Sequence, residues 1–107
     1  MATLKLTLSK KPFDVMRTGE KTTEFRRMSK WMTSRLYNKN GVLREYKYVE
    51  FVNGYGATKP RFTVEFKGVE IINDKLFSYS NGLKVDITEP TYAINLGDAL
   101  YESSGCE

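Results

Sequence analysis

Tyr46-Lys47-Tyr48-Val49-Glu50-Phe51-Val52 and Arg61-Phe62-Thr63-Val64-Glu65-Phe66-Lys67 decide the fold class of this 107-residue chain. In the second run Phe62, Val64 and Phe66 alternate strictly with Arg61, Thr63, Glu65 and Lys67, the period of a strand with one apolar and one wet face. Between the runs lies Asn53-Gly54-Tyr55-Gly56-Ala57-Thr58-Lys59-Pro60, rich in turn formers, so the two strands are read as antiparallel neighbours. Tyr46 and Tyr48 then pack within the sheet. Glu65 points away from the apolar side, as a solvated or rim charge.

Working outward, Leu4, Leu6 and Leu8 alternate with Thr3, Lys5 and Thr7 in a half-buried first strand. Ser9 suits the N-cap of a short helix with Pro12 in its first turn, Phe13 and Met16 on its buried side, and Gly19 as a left-handed stop. Thr22 to Arg27 is a strand by its threonines and Phe25, and alternation sends Thr22, Glu24 and Arg26 to one face and Thr23, Phe25 and Arg27 to the other. Phe25 is the expected core residue. A second short helix is expected from Ser29 through Asn38, with Met28, Met32 and Leu36 at helical spacing and Asn40-Gly41 after it. Val69, Ile71 and Ile72 continue as a short apolar segment after a bend at Gly68. Leu76 to Ile87, with Asn81-Gly82 inside it, fits a hairpin or an irregular excursion equally well. The last strand carries Tyr92, Ile94 and Leu96 and is expected to break at Gly97. The sum is an α+β chain: a small PUA-like β-barrel of five to six strands with two short flanking helices, one domain over residues 1–102 and a frayed tail at 103–107.

Composition narrows the chemistry. The chain has no histidine, and its one cysteine, Cys106, cannot form an internal disulfide or a Cys/His zinc cluster. No metal site and no cofactor are expected. No apolar run approaches the roughly 20 residues of a membrane span, and a soluble protein of a reducing cytoplasm fits best. The net charge of +4 is unevenly spread. Residues 1–47 hold 12 Lys and Arg against 4 Asp and Glu, and residues 48–107 hold 5 against 9. A basic half of this kind suits an anionic partner such as a nucleic acid, because lysines and arginines release counterions when they neutralise phosphates.

Within that half, Thr18-Gly19-Glu20-Lys21-Thr22-Thr23-Glu24-Phe25-Arg26-Arg27 crowds a lysine, hydroxyls, a carboxylate and arginines behind a turn glycine. Lys21 suits phosphate binding, or base chemistry if burial lowers its pKa. Glu24 and Arg26, roughly 7 Å apart along one face, can pair with each other or recognise a base and a phosphate. Trp31 is expected as core packing or barrel cover, with a stacking platform for an unpaired base as the alternative. Tyr55, Lys59 and Arg61 form a second aromatic and basic cluster.

Lys11-Pro12-Phe13-Asp14, Gly19-Glu20-Lys21-Thr22-Thr23-Glu24-Phe25-Arg26 and Tyr92-Ala93-Ile94-Asn95-Leu96-Gly97 together resemble the ASCH domain family, relatives of the PUA RNA-binding domains. The resemblance spans nearly the whole chain and is most specific at the glycine-x-lysine-threonine-x-glutamate-x-arginine pattern. It implies a β-barrel with a cleft to which Lys21, Glu24 and Arg26 contribute, and an RNA-binding or RNA-processing role. Some small members are similar to amidohydrolases of acylated cytidine, in which a threonine nucleophile occupies the position of Glu24. Here the nearest hydroxyl, Thr23, falls on the opposite strand face. The expectation is therefore a domain that binds single-stranded RNA, a nucleotide or a modified nucleoside through Lys21, Thr22, Glu24, Arg26, Trp31, Tyr55, Lys59 and Arg61. Hydrolysis of RNA or acylated cytidine, with Lys21 and Glu24 as catalytic groups, is the enzyme alternative. A small protein-interaction module is the third.

Overall fold

The structure is a computed structural model that describes residues 2–54 and 59–103. Its elements run β1 (Ala2–Leu8), α1 (Lys10–Arg17), β2 (Thr23–Arg27), α2 (Lys30–Leu36), β3 (Tyr46–Asn53), β4 (Arg61–Ile72), β5 (Lys75–Ser78), β6 (Lys84–Ile87) and β7 (Thr91–Ser103). Five strands form one curled mixed sheet in the order β1-β3-β4-β7-β2, and β5-β6 is a separate hairpin. The α+β expectation holds, with a half-barrel of five strands and two short helices. Among the described residues no helix is long and apolar enough to cross a membrane.

The two runs that decide the fold pair as expected, with Val49 opposite Val64 and Phe51 opposite Phe62. β1 adds in parallel to β3, placing Leu4 beside Val49 and Leu6 beside Phe51. These residues, with Leu8, Phe13, Met16, Met32, Leu36, Tyr92 and Ile94, make one buried core. Phe13 from α1 meets Phe62 edge-on at 5.1 Å between ring centroids. The helix stops where the glycine allows it: Gly19 has φ +87° and its amide bonds the Met16 carbonyl. α2 is shorter than expected. Ser29 caps it by accepting from the Met32 amide at 3.1 Å, and Met28 lies outside it and exposed.

Two differences concern the long strands. The bend expected at Gly68 is a register shift inside a continuous β4, one of three between β4 and β7 that curl the sheet. β7 does not break at Gly97 but runs on to Ser103. Glycine is favoured there for closeness, not for a turn, because a Cβ at Gly97 would stand 2.9 Å from Glu65 Cβ, an atom fixed to its strand. Glu65, on the outer side as expected, accepts from the Asp98 amide at 3.2 Å and steadies this irregular stretch. Ser103 therefore belongs to a strand and not to a tail. The rest of the expected tail, 104–107, lies outside the described residues.

The sheet remains open between its edge strands β1 and β2, and arginines bridge the gap. Arg26 Nη2 donates to the Thr7 carbonyl at 2.9 Å, and Arg35 Nη2 from α2 donates to the Lys5 carbonyl at 3.2 Å. Side chains thus occupy edge carbonyls that a sixth strand would have used.

Candidate functional site

β2 lies antiparallel to β7 with Glu24 opposite Ile94, Phe25 opposite Ala93 and Arg26 opposite Tyr92. Directly opposed residues share a face, so Glu24 and Arg26 stand on the core side, with buried Ile94 and Tyr92. The alternation along β2 is the expected one, but the core side is the polar side. Phe25, the expected core residue, is instead on the outer face, half-buried beneath the β5-β6 hairpin and stacked on Phe77 at 4.7 Å. The reason is the open seam. An edge strand facing unpaired carbonyls of β1 satisfies them with a polar inward face.

Lys21 and Glu24 are only 3% and 5% exposed. Lys21 Nζ donates to Glu24 Oε1 at 2.9 Å and to the Thr23 carbonyl, and lies 4.9 Å from the centroid of the Phe25 ring. The second carboxylate oxygen, Oε2, accepts from Arg26 Nε at 2.7 Å. One buried carboxylate therefore holds two cations, one at each oxygen, which is the arrangement that makes a buried charge tolerable. Burial pushes the Lys21 pKa down; the Glu24 charge and hydrogen bond oppose that, and the Arg26 charge adds to it.

The hairpin closes the outer side. Glu20 accepts from the Ser80 amide at 2.7 Å and from its hydroxyl at 2.6 Å, and Asn81 Nδ2 donates to the Lys11 carbonyl at 3.0 Å. This places Tyr79 near Glu24, and burial, then the charges of Glu24 and Glu20, raise its phenol pKa. The stretch 76–87 is thus a hairpin, held by the motif it covers.

Arg26 is the reachable member of the trio. Its side chain is 24% exposed, with Nε on Glu24 and Nη2 on Thr7. It borders a cleft of about 240 Å3 lined also by Arg27, Ser29, Trp31 and Met32. Trp31, expected as core or cover, is 58% exposed, and the Arg35 guanidinium lies over its ring at 5.1 Å. α2 turns Met32 and Leu36 to the core, which leaves Trp31 on the outer side beside the cleft. The geometry offers a fixed guanidinium and a largely exposed indole, with Arg35 over its ring, at one opening, suited to an anionic ligand with a flat ring.

The other expected residues lie elsewhere. Thr22 is exposed and, with Lys21, Gly19 and Gly97, lines a separate hollow of about 190 Å3. Lys59 is exposed, and Arg61 begins β4 opposite Val52 with its guanidinium 3.8 Å from Glu50. Val52 in turn neighbours Thr7, so two strands separate Arg61 from the seam that Arg26 bridges. Tyr55 lies outside the described residues. Sequence reasoning did not single out Tyr37, Lys39 and Arg44, which border a groove on the other side of α2. A signal was present: residues 25–44 contain six Lys and Arg and no Asp or Glu. Comparison of the chain with known protein families, curated proteins and solved structures finds no match.

Proposed function

We propose that this protein is an ASCH-like domain that binds single-stranded RNA or a nucleotide-like ligand in the cleft between β2 and α2. The observation that carries the reading is the pairing of a part-exposed Arg26, locked by Glu24 and Thr7, with the exposed Trp31 at the same cleft. The guanidinium takes a phosphate or a base acceptor, and the indole takes the base face. An exposed indole stacks on a base that has left its helix, which favours unpaired RNA over duplex. In this arrangement Lys21 and Glu24 act on the ligand through Arg26, by fixing where its guanidinium stands.

Trp31 is the only tryptophan, so its fluorescence reports on this cleft alone. Titration with short single-stranded RNA should quench the emission in a saturable way, and Trp31→Ala should weaken binding by about 1–3 kcal/mol, the usual worth of one stacked base. Binding with unchanged emission and unchanged affinity in Trp31→Ala would remove the cleft from the reading.

Hydrolysis of RNA or of acylated cytidine is a second reading, favoured by a buried lysine of lowered pKa beside a carboxylate. Product release from either substrate, abolished in Lys21→Met at unchanged binding, would support it. No product from either at high protein concentration would dispose of it.

A further inference from the structure

The cleft at Arg26 and Trp31 occupies one side of α2, and the opposite side of the same helix is also cationic. Lys30, Tyr37, Lys39 and Arg44, with Met28 and Thr33, border a groove of about 420 Å3 whose lining contains no carboxylate. Its walls are held from within. The Tyr37 ring packs on Tyr92 at 6.0 Å between centroids, and the Thr33 hydroxyl is 2.8 Å from the Tyr92 hydroxyl. Arg44 Nε donates to the Ser34 carbonyl at 3.0 Å and its amide to the Leu36 carbonyl at 2.8 Å. Asn38 Oδ1 accepts from the Asn40 and Val42 amides at 2.9 and 3.1 Å, tying down the loop that carries Lys39.

Complementing the negative end of α2 explains part of this charge, and Arg44 Nε does so. It does not explain the rest. Lys30 is the first residue of α2, where the helix favours an anion, and the first turn holds no acidic residue. Neither Lys30 nor Lys39 makes a hydrogen bond or ion pair among the described residues. Cations at both ends of one helix, with no internal counter-charge in the groove, are arranged for an external polyanion. An α-helix is about 10–12 Å across with its side chains, so a ligand touching both sides of α2 must exceed one nucleotide.

We propose that this groove is a second subsite for the phosphodiester backbone flanking the base held at Trp31, so that the ligand is a single-stranded oligonucleotide and not a mononucleotide. The proposal rests on the RNA-binding reading above. It assigns Lys30, Lys39 and Arg44 to phosphates, with Tyr37 as the aromatic wall against which the sugar or a second base lies.

The test compares cytidine monophosphate with single-stranded RNA of about eight residues, a length within the usual site size of single-strand binders, titrated across a salt series. For the wild type, the slope of log affinity against log salt should be steeper for the oligonucleotide than for the mononucleotide. Lys30→Gln with Lys39→Gln should lower oligonucleotide affinity about tenfold at low salt and flatten its slope by about 1.4, the share of two phosphates. Mononucleotide affinity should not change. Equal wild-type slopes, or a double variant with the oligonucleotide slope intact, would overturn the groove while leaving the Trp31 cleft standing. Failure of the wild type to bind either ligand would overturn the RNA-binding reading itself. An acidic peptide that binds through Lys30 and Lys39 when the oligonucleotide does not would give the groove to a protein partner and end the proposal. Both lysines are surface residues without described partners, so the double variant should keep the wild-type melting curve.

Discussion

The two edge strands of the half-barrel solve opposite problems. β1 puts Leu4, Leu6 and Leu8 inward against Val49 and Phe51, a strand whose apolar period and buried face coincide. β2 puts Glu24 and Arg26 inward and Phe25 outward, reversing the usual assignment. Alternation tells which residues share a face, but which face is inward depends on what that face meets. At β1 it meets other side chains of the core. At β2 it meets a buried ammonium and the carbonyl edge of β1, so polar residues are the stable choice there. Departures of this kind, where a local rule is broken with full compensation, are where function is expected to reside.

The sharpest way to break the comparison is to remove the centre of each side. Phe51→Ala should cost about 3–5 kcal/mol through lost burial and a cavity. Glu24→Ala should cost about as much for a different reason, since it leaves Lys21 charged, buried and unpaired. The two losses should part company on repair. Adding Lys21→Met to Glu24→Ala removes the stranded charge and should recover most of the loss, because Arg26 is part-exposed and can turn to water. No second substitution of this type repairs Phe51→Ala. Denaturant unfolding of the wild type and the three variants decides it, and a double variant no more stable than Glu24→Ala would mean that Glu24 supports the fold by something other than compensating Lys21.

The same contrast explains how much could be read in the sequence. The strands at 46–53 and 61–67, the first strand and the first helix were legible because their buried faces are apolar and periodic. The hairpin at 75–87 was not, because its strands are four residues each and their support is tertiary: Phe77 on Phe25, and Ser80 on Glu20. Gly97 read as a strand breaker because glycine often is one, while here its missing side chain admits Glu65. Glu24 and Arg26 were legible as a pair from spacing on one strand face, and Lys21, a lysine in the turn before that strand, joined them only through the family resemblance. That Lys21 would be sealed and Arg26 reachable was not legible, since this depends on the hairpin and on the β1 edge, both distant in sequence. Trp31 carried no signal that distinguished a core tryptophan from an exposed one.

A subtler effect concerns pH. Burial holds the Lys21 pKa below its ordinary 10.5, so between the two values the unfolded chain carries more of the proton than the folded one. The contribution of Lys21 to stability therefore rises as pH climbs through that window, and falls as pH drops through the folded-state value. Tyr79 acts in the opposite sense above its ordinary 10.0, because its raised pKa keeps the folded phenol protonated while the unfolded one ionises. Measurements at rising pH up to about 10, short of the range in which Tyr79 contributes, thus separate the two. Unfolding free energies of wild type and Lys21→Met should diverge in favour of the wild type over this range, and parallel curves would show that burial does not disturb the lysine.

The smallest expected change in stability falls at the residue with the largest expected change in binding. Trp31 is mostly exposed, and its described ring contact is the Arg35 guanidinium, which is independently held by the Lys5 carbonyl. Trp31→Ala should shift unfolding free energy by less than about 0.5 kcal/mol, as surface substitutions do. Its cation-π contact sets an upper bound of the same order, since such contacts at exposed sites contribute about 0.5–1 kcal/mol. A tryptophan covering the barrel would behave otherwise, costing about 3–5 kcal/mol on truncation. Measuring unfolding and RNA affinity on the same Trp31→Ala preparation therefore separates the roles. Near-wild-type stability with weakened binding assigns the indole to the ligand, whereas a large loss of stability would return it to the core with Leu36 and Met32 and leave recognition at the cleft to Arg26 and Arg27.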